Sequence, residues 1–262
     1  MSAARSTITS SRRHFLLGAA AACVPFASMG SVVYTPHELR EQYEREVAPR
    51  LDVPDDEVRL YGGITEMQLY NLGRELPDPQ YLLVIDGNPH VQAAMLFWRL
   101  LPGSYQLVGA SPVSTAAAEP ASPQGLFEQA RGVSTHAACA RTQCDRGMLR
   151  VYDFGWQHTT ARIGASPNSE MRLQVRAADR QAERRLGAPC EDGCILLPSR
   201  LISFLDEYGV LDDGVSGRVQ RHVLPYRGRH LMVVDSERDE RPPWSPAPPV
   251  LEQRAAVARV RG

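Results

Sequence analysis

The chain has 262 residues, 43% of them hydrophobic and 23% charged, with a formal net charge of −1. Such a length suits one sizeable folded core with appendages, and the balanced charge excludes a strongly basic nucleic-acid binder. All 29 basic residues are arginines, so lysine is excluded as a base or Schiff-base former, and any basic patch keeps its charge.

Residues 1–30 read as an export signal. Ser11-Arg12-Arg13-His14-Phe15-Leu16 precedes the apolar stretch from Leu17 to Phe26, and small residues follow through Ser28-Met29-Gly30. The paired arginines followed by Phe-Leu are similar to a Tat signal, with cleavage expected near Gly30 and the product expected in the periplasm or cell envelope. The apolar run is too short for a membrane span, so none is expected after signal removal. Export also sets the reading of the cysteines. Cys139, Cys144, Cys190 and Cys194 then remain, an even number in an oxidising compartment, which allows two disulfides including a Cys190–Cys194 bridge. Their C-x4-C and C-x3-C spacings are not those of a tight zinc knuckle and lie far apart, so no metal and no cofactor is expected.

Residues 31–80 form an arm of helices and extended chain. Thr35-Pro36-His37-Glu38 is a capping box with proline at the first helical position, and Leu39, Tyr43 and Val47 make a narrow apolar stripe before Pro49. Further on, Gly62-Gly63 and Pro77-Asp78-Pro79 mark turns around a short helix expected over Glu66–Leu72. From Tyr81 to Asp235 the texture is that of strands: Tyr81–Asp86, Val91–Leu100 and Tyr105–Gly109 are separated by Gly-Asn-Pro and Pro-Gly turns, predicting antiparallel hairpins. Residues 114–124 predict an exposed loop, and strands are expected at Gly125–Glu128, Met148–Phe154 and Glu170–Ala177. Trp98 and Trp156, inside strands, are expected in the core, with stacking on sugar as the alternative. Asp179, Arg180, Glu183 and Arg184 read as a solvated ion-pair cluster. A last hairpin is expected from Val219–Pro225 and Arg229–Asp235. Residues 236–262, first Pro-rich and then Arg/Ala-rich, read as a solvated tail.

The stretch from Leu186 to Leu201 holds the candidate chemistry. Cys194 follows Gly193, precedes the apolar Ile195-Leu196-Leu197, and leads into a helix opening at Pro198. Leu201, Phe204, Leu205 and Tyr208 share one face of that helix, and Gly209 supplies its stop. A thiol between strand and helix can face substrate, Gly193 admits close backbone approach, and the Gly193 and Cys194 amides would lie near an oxyanion. The same Gly-Cys pair also describes a small buried hydrophobe.

Several collinear segments extend this reading. The runs Tyr81–Pro89 (YLLVIDGNP) and Leu107–Thr115 (LVGASPVST), then Ser122-Pro123-Gln124-Gly125-Leu126-Phe127, Val151–Trp156, Gly193-Cys194 and Phe204–Leu211 together resemble the L,D-transpeptidase family with a YkuD-type catalytic domain. The resemblance covers roughly residues 81–213. It implies a mainly β, sandwich-like domain with a helix after the Gly-Cys motif. It also implies acyl transfer on peptidoglycan stem peptides through a Cys194 thioester, in cell-wall cross-linking or remodelling. The family's histidine position falls on Arg176, which cannot accept a proton although its charge favours a thiolate. Glu191-Asp192 replaces a serine and a basic residue before Gly193-Cys194, and Leu196 replaces an arginine. His136, His158, His222 and His230 are the candidates for a displaced base. Two alternatives stay open: a catalytically silent relative that binds peptidoglycan or an envelope partner, with Cys190 and Cys194 as a structural or redox pair, and an L,D-carboxypeptidase-like hydrolase. The sequence sets neither turnover nor oligomeric state.

Overall fold

A computed structural model describes residues 32–116, 122–129, 149–158, 170–190, 194–215 and 222–248. The expectations for residues 1–30, for Cys139, Cys144 and His136, and for Gly193 with Glu191 and Asp192 fall outside the described residues. The first elements are β1 (Val32–Val33), α1 (Pro36–Glu46) and α2 (Asp55–Asn71). Thr35 caps α1 reciprocally: its Oγ1 accepts from the Glu38 amide at 3.3 Å, and Glu38 Oε2 accepts from the Thr35 amide at 2.8 Å. Leu39 and Tyr43 bury the stripe. By contrast, α2 replaces the short helix expected over Glu66–Leu72 with 17 residues. Gly62-Gly63, which reads as a turn, lies inside it. The negative first turn of Asp55, Asp56 and Glu57 and the burial of Tyr61, Thr65 and Leu69 outweigh two weak helix formers.

The remaining elements are β2 (Gln80–Asp86), β3 (Ala93–Leu101), β4 (Ser104–Pro112), β5 (Gly125–Glu128), β6 (Tyr152–His158), β7 (Glu170–Ala177), α3 (Arg180–Glu183), β8 (Ile195–Leu197), α4 (Ser199–Glu207), β9 (His222–Val223) and β10 (His230–Val234). The fold is mainly β. A five-stranded sheet runs β4-β3-β2-β10-β5, and a three-stranded sheet runs β6-β7-β8. Parity divides the five-stranded sheet. Tyr81, Leu83 and Ile85 of β2 join Leu231 and Val233 of β10 in a core shared with α1, α4 and the three-stranded sheet. Leu82, Val84, Met232 and Val234 face the other way, into a second core with Tyr61 and Leu69 of α2. All of β2 is therefore buried, as for a strand covered on both faces.

Close approach fixes α1 against β4. An added Cβ on Gly109 would lie 2.2 Å from the Tyr43 ring, and the Tyr43 hydroxyl bonds Ser111 Oγ at 2.8 Å, so only glycine admits this ring.

Two expectations are corrected. The hairpin of Val219–Pro225 with Arg229–Asp235 does not form: β9 pairs in parallel with β1, while β10 pairs in parallel with β2 and antiparallel with β5. The apolar run of β10 suits a central, doubly covered position better than an exposed hairpin. Nor is the Pro-rich segment solvated over 241–248. Trp244 is buried edge-on against Tyr61 at 6.1 Å, Ser245 Oγ donates to the Val91 carbonyl at 2.6 Å, and Arg241 donates to the carbonyls of Pro89 and Gly187.

Candidate functional site

Beyond β4 the chain stays extended and joins the two larger sheets. Val113 N donates to the Gln92 carbonyl at 2.9 Å, and Ser114 and Leu196 exchange both backbone hydrogen bonds at 3.0 and 2.9 Å. Cys190 N donates to the Thr115 carbonyl at 2.8 Å, and Ala116 N donates to Ser122 Oγ at 3.1 Å. Thr115 is itself clamped by Gln92: its amide donates to Gln92 Oε1 at 2.8 Å, and Gln92 Nε2 donates to Thr115 Oγ1 at 2.8 Å and to the Gly87 carbonyl at 2.7 Å. Gln92 holds this place at a φ of 49°, a strained value for a residue with a side chain. The stretches around Gly87, Ser114, Ser122 and Cys194, far apart in sequence, thus converge.

Sidedness places Arg176 with Cys194. Leu173 and Val175 of β7 and Ile195 and Leu197 of β8 enter the first core, so Arg172, Gln174, Arg176 and Leu196 face outward. Leu196 clusters there with Ala178 and Leu186, and the half-buried Cys190 and Cys194 pack on that cluster. Arg176 is the register partner of Leu196, two residues after Cys194. Arg176 and Cys194 therefore both lie toward the outward side of this sheet, with Cys194 against the Leu196 cluster.

Cys190 and Cys194 are both thiols, and the bridge considered from sequence is not formed. The Cys190 sulfur lies 3.8 Å from the Cys194 carbonyl oxygen, directed at main chain. The seat of Cys194 is held from behind. Pro198, at the N-cap of α4, has no side-chain donor or acceptor; Glu183 serves instead, accepting from Ser199 N at 2.9 Å and Ser199 Oγ at 2.7 Å. Asp179 likewise caps α3, accepting from the amides of Gln181 and Ala182 at 2.9 and 2.7 Å. The carboxylates read as a solvated cluster are thus helix caps.

The side chains of His222 and His230 go elsewhere. His222 stacks on Tyr208 with ring centroids 4.6 Å apart, beside Glu207. That is the C-terminal end of α4, about 12 Å along the helix axis from Ser199. His230 shares the β10 face of Met232 and Val234, opposite the layer that holds β7 and β8, and its Nδ1 lies 3.0 Å from Gln80 Oε1. Burial, with help from Arg229 and Arg74, pushes its pKa down to about 4. His136 and the His158 side chain lie outside the described residues. Among the described residues, no group of three or more His, Cys, Asp or Glu could hold a metal, and no helix is long and apolar enough to cross a membrane.

Trp98 is buried, as its strand position predicts, but Trp156 is 67% exposed, contrary to expectation. A bulge in β6 turns it outward. Nearby, burial works to raise the pKa of Asp153, but hydrogen bonds from Arg172, the Gly155 amide and Gln174 outweigh it and hold the carboxylate below its usual range.

No protein-family model and no curated protein matches the chain. Similar solved structures include Bd1075 of Bdellovibrio bacteriovorus, at 12% identity and a TM-score of 0.35, with 70% of this chain and 56% of that chain covered. A second is a fused zinc-dependent amidase/peptidase/peptidoglycan-binding domain-containing protein from Clostridium acetobutylicum, at 12% identity and a TM-score of 0.30, covering 71% and 65%. A third is the helical cell shape determining protein Pgp2 of Campylobacter jejuni, at 8% identity and a TM-score of 0.33, covering 78% and 56%. The chain spans between 56% and 65% of the length of these structures.

Proposed function

We propose that the chain is an exported cell-wall protein of L,D-transpeptidase type, in which Cys194 accepts acyl groups from peptidoglycan stem peptides. One observation carries this reading: segment 113–116 bonds to Cys190 and Leu196 on either side of Cys194 and to Ser122, and lies against Gly87, so three of the resembling stretches meet beside the one that holds Cys194. A free thiol titrates near ~8.5, and its thiolate is the nucleophile. The thiolate sulfur attacks the acyl carbonyl, the C–N bond to the terminal D-amino acid breaks, and a thioester remains. That acyl group then passes to an amine of a neighbouring stem, or to water if the protein is a carboxypeptidase-like hydrolase; product analysis separates the two.

A second reading, a silent relative that binds peptidoglycan or an envelope partner, is favoured by the commitment of His222 and His230 to other contacts. The test is the intact mass of the reduced protein after incubation with a carbapenem, whose strained lactam acylates an activated thiol. A single adduct is expected, absent from Cys194→Ala. A folded protein that takes no adduct would overturn acyl capture and leave the binding role.

A further inference from the structure

The bulge in β6 has a specific product. Tyr152 and Phe154 enter the core, and simple alternation would send Trp156 after them. Instead the register shifts between Asp153 and Trp156, Gly155 takes a φ of +79°, and Trp156 becomes the outward partner of Arg172. The turn is braced: Gly155 N donates to Asp153 Oδ1 at 2.9 Å, Gln157 Nε2 donates to the Phe154 carbonyl at 2.7 Å, and Asp153 pairs with Arg172. The other two tryptophans, Trp98 and Trp244, are 7% and 8% exposed. A braced bulge that withholds an indole from the core forgoes the burial a tryptophan ordinarily gains. Such a ring is displayed for contact.

We propose that the outer face of β6 and β7 is a sugar-binding platform, with Trp156 as the stacking surface and Asp153, Arg172 and Gln174 as its polar edge. The ligand class is a strand of N-acetylated amino sugars. A pyranose has one apolar C–H face, which suits an indole, and rim hydroxyl and acetamido groups, which need both donors and acceptors. Arg172 and Gln174 donate, and Asp153 and Gln174 accept. A lipid surface would call for a continuous apolar patch, and a simple anion site would exclude a carboxylate. The platform continues toward the thiol, since Arg172, Gln174 and Arg176 occupy alternate positions along β7, a span of about 13 Å. Its assignment to the glycan beside the acylated stem rests on the function proposed above; the sugar site itself does not.

The test uses the β-1,4-linked N-acetylglucosamine tetramer as a sugar-only probe, with a sugar-free stem tetrapeptide beside it. Because the other two indoles are buried, solvent-dependent tryptophan emission reports on Trp156. A saturable blue shift is expected with the sugar tetramer, equally in wild type and Cys194→Ala. Calorimetric affinity should fall roughly tenfold or more in Trp156→Ala and recover in part in Trp156→Phe, a change of about 1.4 kcal/mol or more. No saturable shift, or full affinity in Trp156→Ala, would overturn the platform. So would a concentration-dependent dimer that Trp156→Ala abolishes, because the ring would then be a contact between copies. Since Cys194→Ala retains the sugar site, failure here is separable from failure of the carbapenem test.

Discussion

Arg150→Leu is expected to destabilise the fold by about 3–5 kcal/mol, the cost of leaving a buried charge without its partner. The Arg150 and Asp212 side chains are both fully buried, with Nη1 and Oδ1 2.5 Å apart, and the same nitrogen lies 3.3 Å from Asp206 of α4. The guanidinium also sits 4.3 Å from the centre of the Tyr152 ring. Removing it breaks the buried ion pair with Asp212 and strips packing from Tyr152. For a chain of this size each kcal/mol moves the melting midpoint by about 2–4 °C, so a fall of roughly 10 °C is expected. Arg150→Leu/Asp212→Leu should regain most of that loss, because a buried pair replaced by apolar groups is often neutral. Urea unfolding of the two single variants and the double gives the coupling energy directly. Single variants within about 1 kcal/mol of wild type, or a double variant that loses the sum of the singles, would refute a buried, coupled pair. The pair matters to the site because it ties the entry of β6 to α4, and α4 holds the strand that Cys194 begins.

Two further changes test the packing and its electrostatics. Gly109→Ala drives a methyl group into the immobile Tyr43 ring and should lower stability by about 1–3 kcal/mol, read as a lower urea midpoint; an unchanged midpoint would show that α1 packs elsewhere. His230 has a depressed pKa, so the unfolded chain takes up a proton that the native state refuses. Stability from this group is complete above about pH 6.5 and is lost as pH falls toward 4, at no more than about 1.4 kcal/mol per pH unit. His230→Gln should flatten the slope of unfolding free energy against pH in that window; equal slopes would show that the ring is solvated.

What was legible in the sequence was local. The capping box at Thr35, the α4 face of Leu201, Phe204 and Leu205, and the alternation of β7 over Glu170–Ala177 all signal within a few residues. The extent of α2 was hidden because glycines at 62 and 63 imitate a turn, and only the burial of Tyr61, Thr65 and Leu69 around them shows otherwise. The partners of β9 and β10 were hidden because strand pairing across the length of the chain leaves no local mark. Arg176 and Cys194 could be named in advance only through the resemblance. The Ser114–Leu196 exchange and the Gln92 clamp on Thr115 could not, since a backbone hydrogen bond has no side-chain signature. Trp156 had one signal, the glycine before it in an otherwise alternating run, which marks a bulge.

The balance between the two functional readings rests on protons more than on charge. The guanidinium of Arg176 neither takes the thiol proton nor returns one to a leaving group. With a strained lactam this matters little: ring opening is driven by strain, and the expelled nitrogen stays tethered to the acyl group. With a stem peptide the D-amino acid nitrogen must gain a proton as its C–N bond breaks, and that step needs a general acid. His222 and His230 are committed to Tyr208 and Gln80. Acylation by a carbapenem without release of D-amino acid from a tetrapeptide is therefore the behaviour of an activated thiol that lacks its proton donor. Release of the D-amino acid would require a donor other than these two, with His136 and His158 the histidines to replace first.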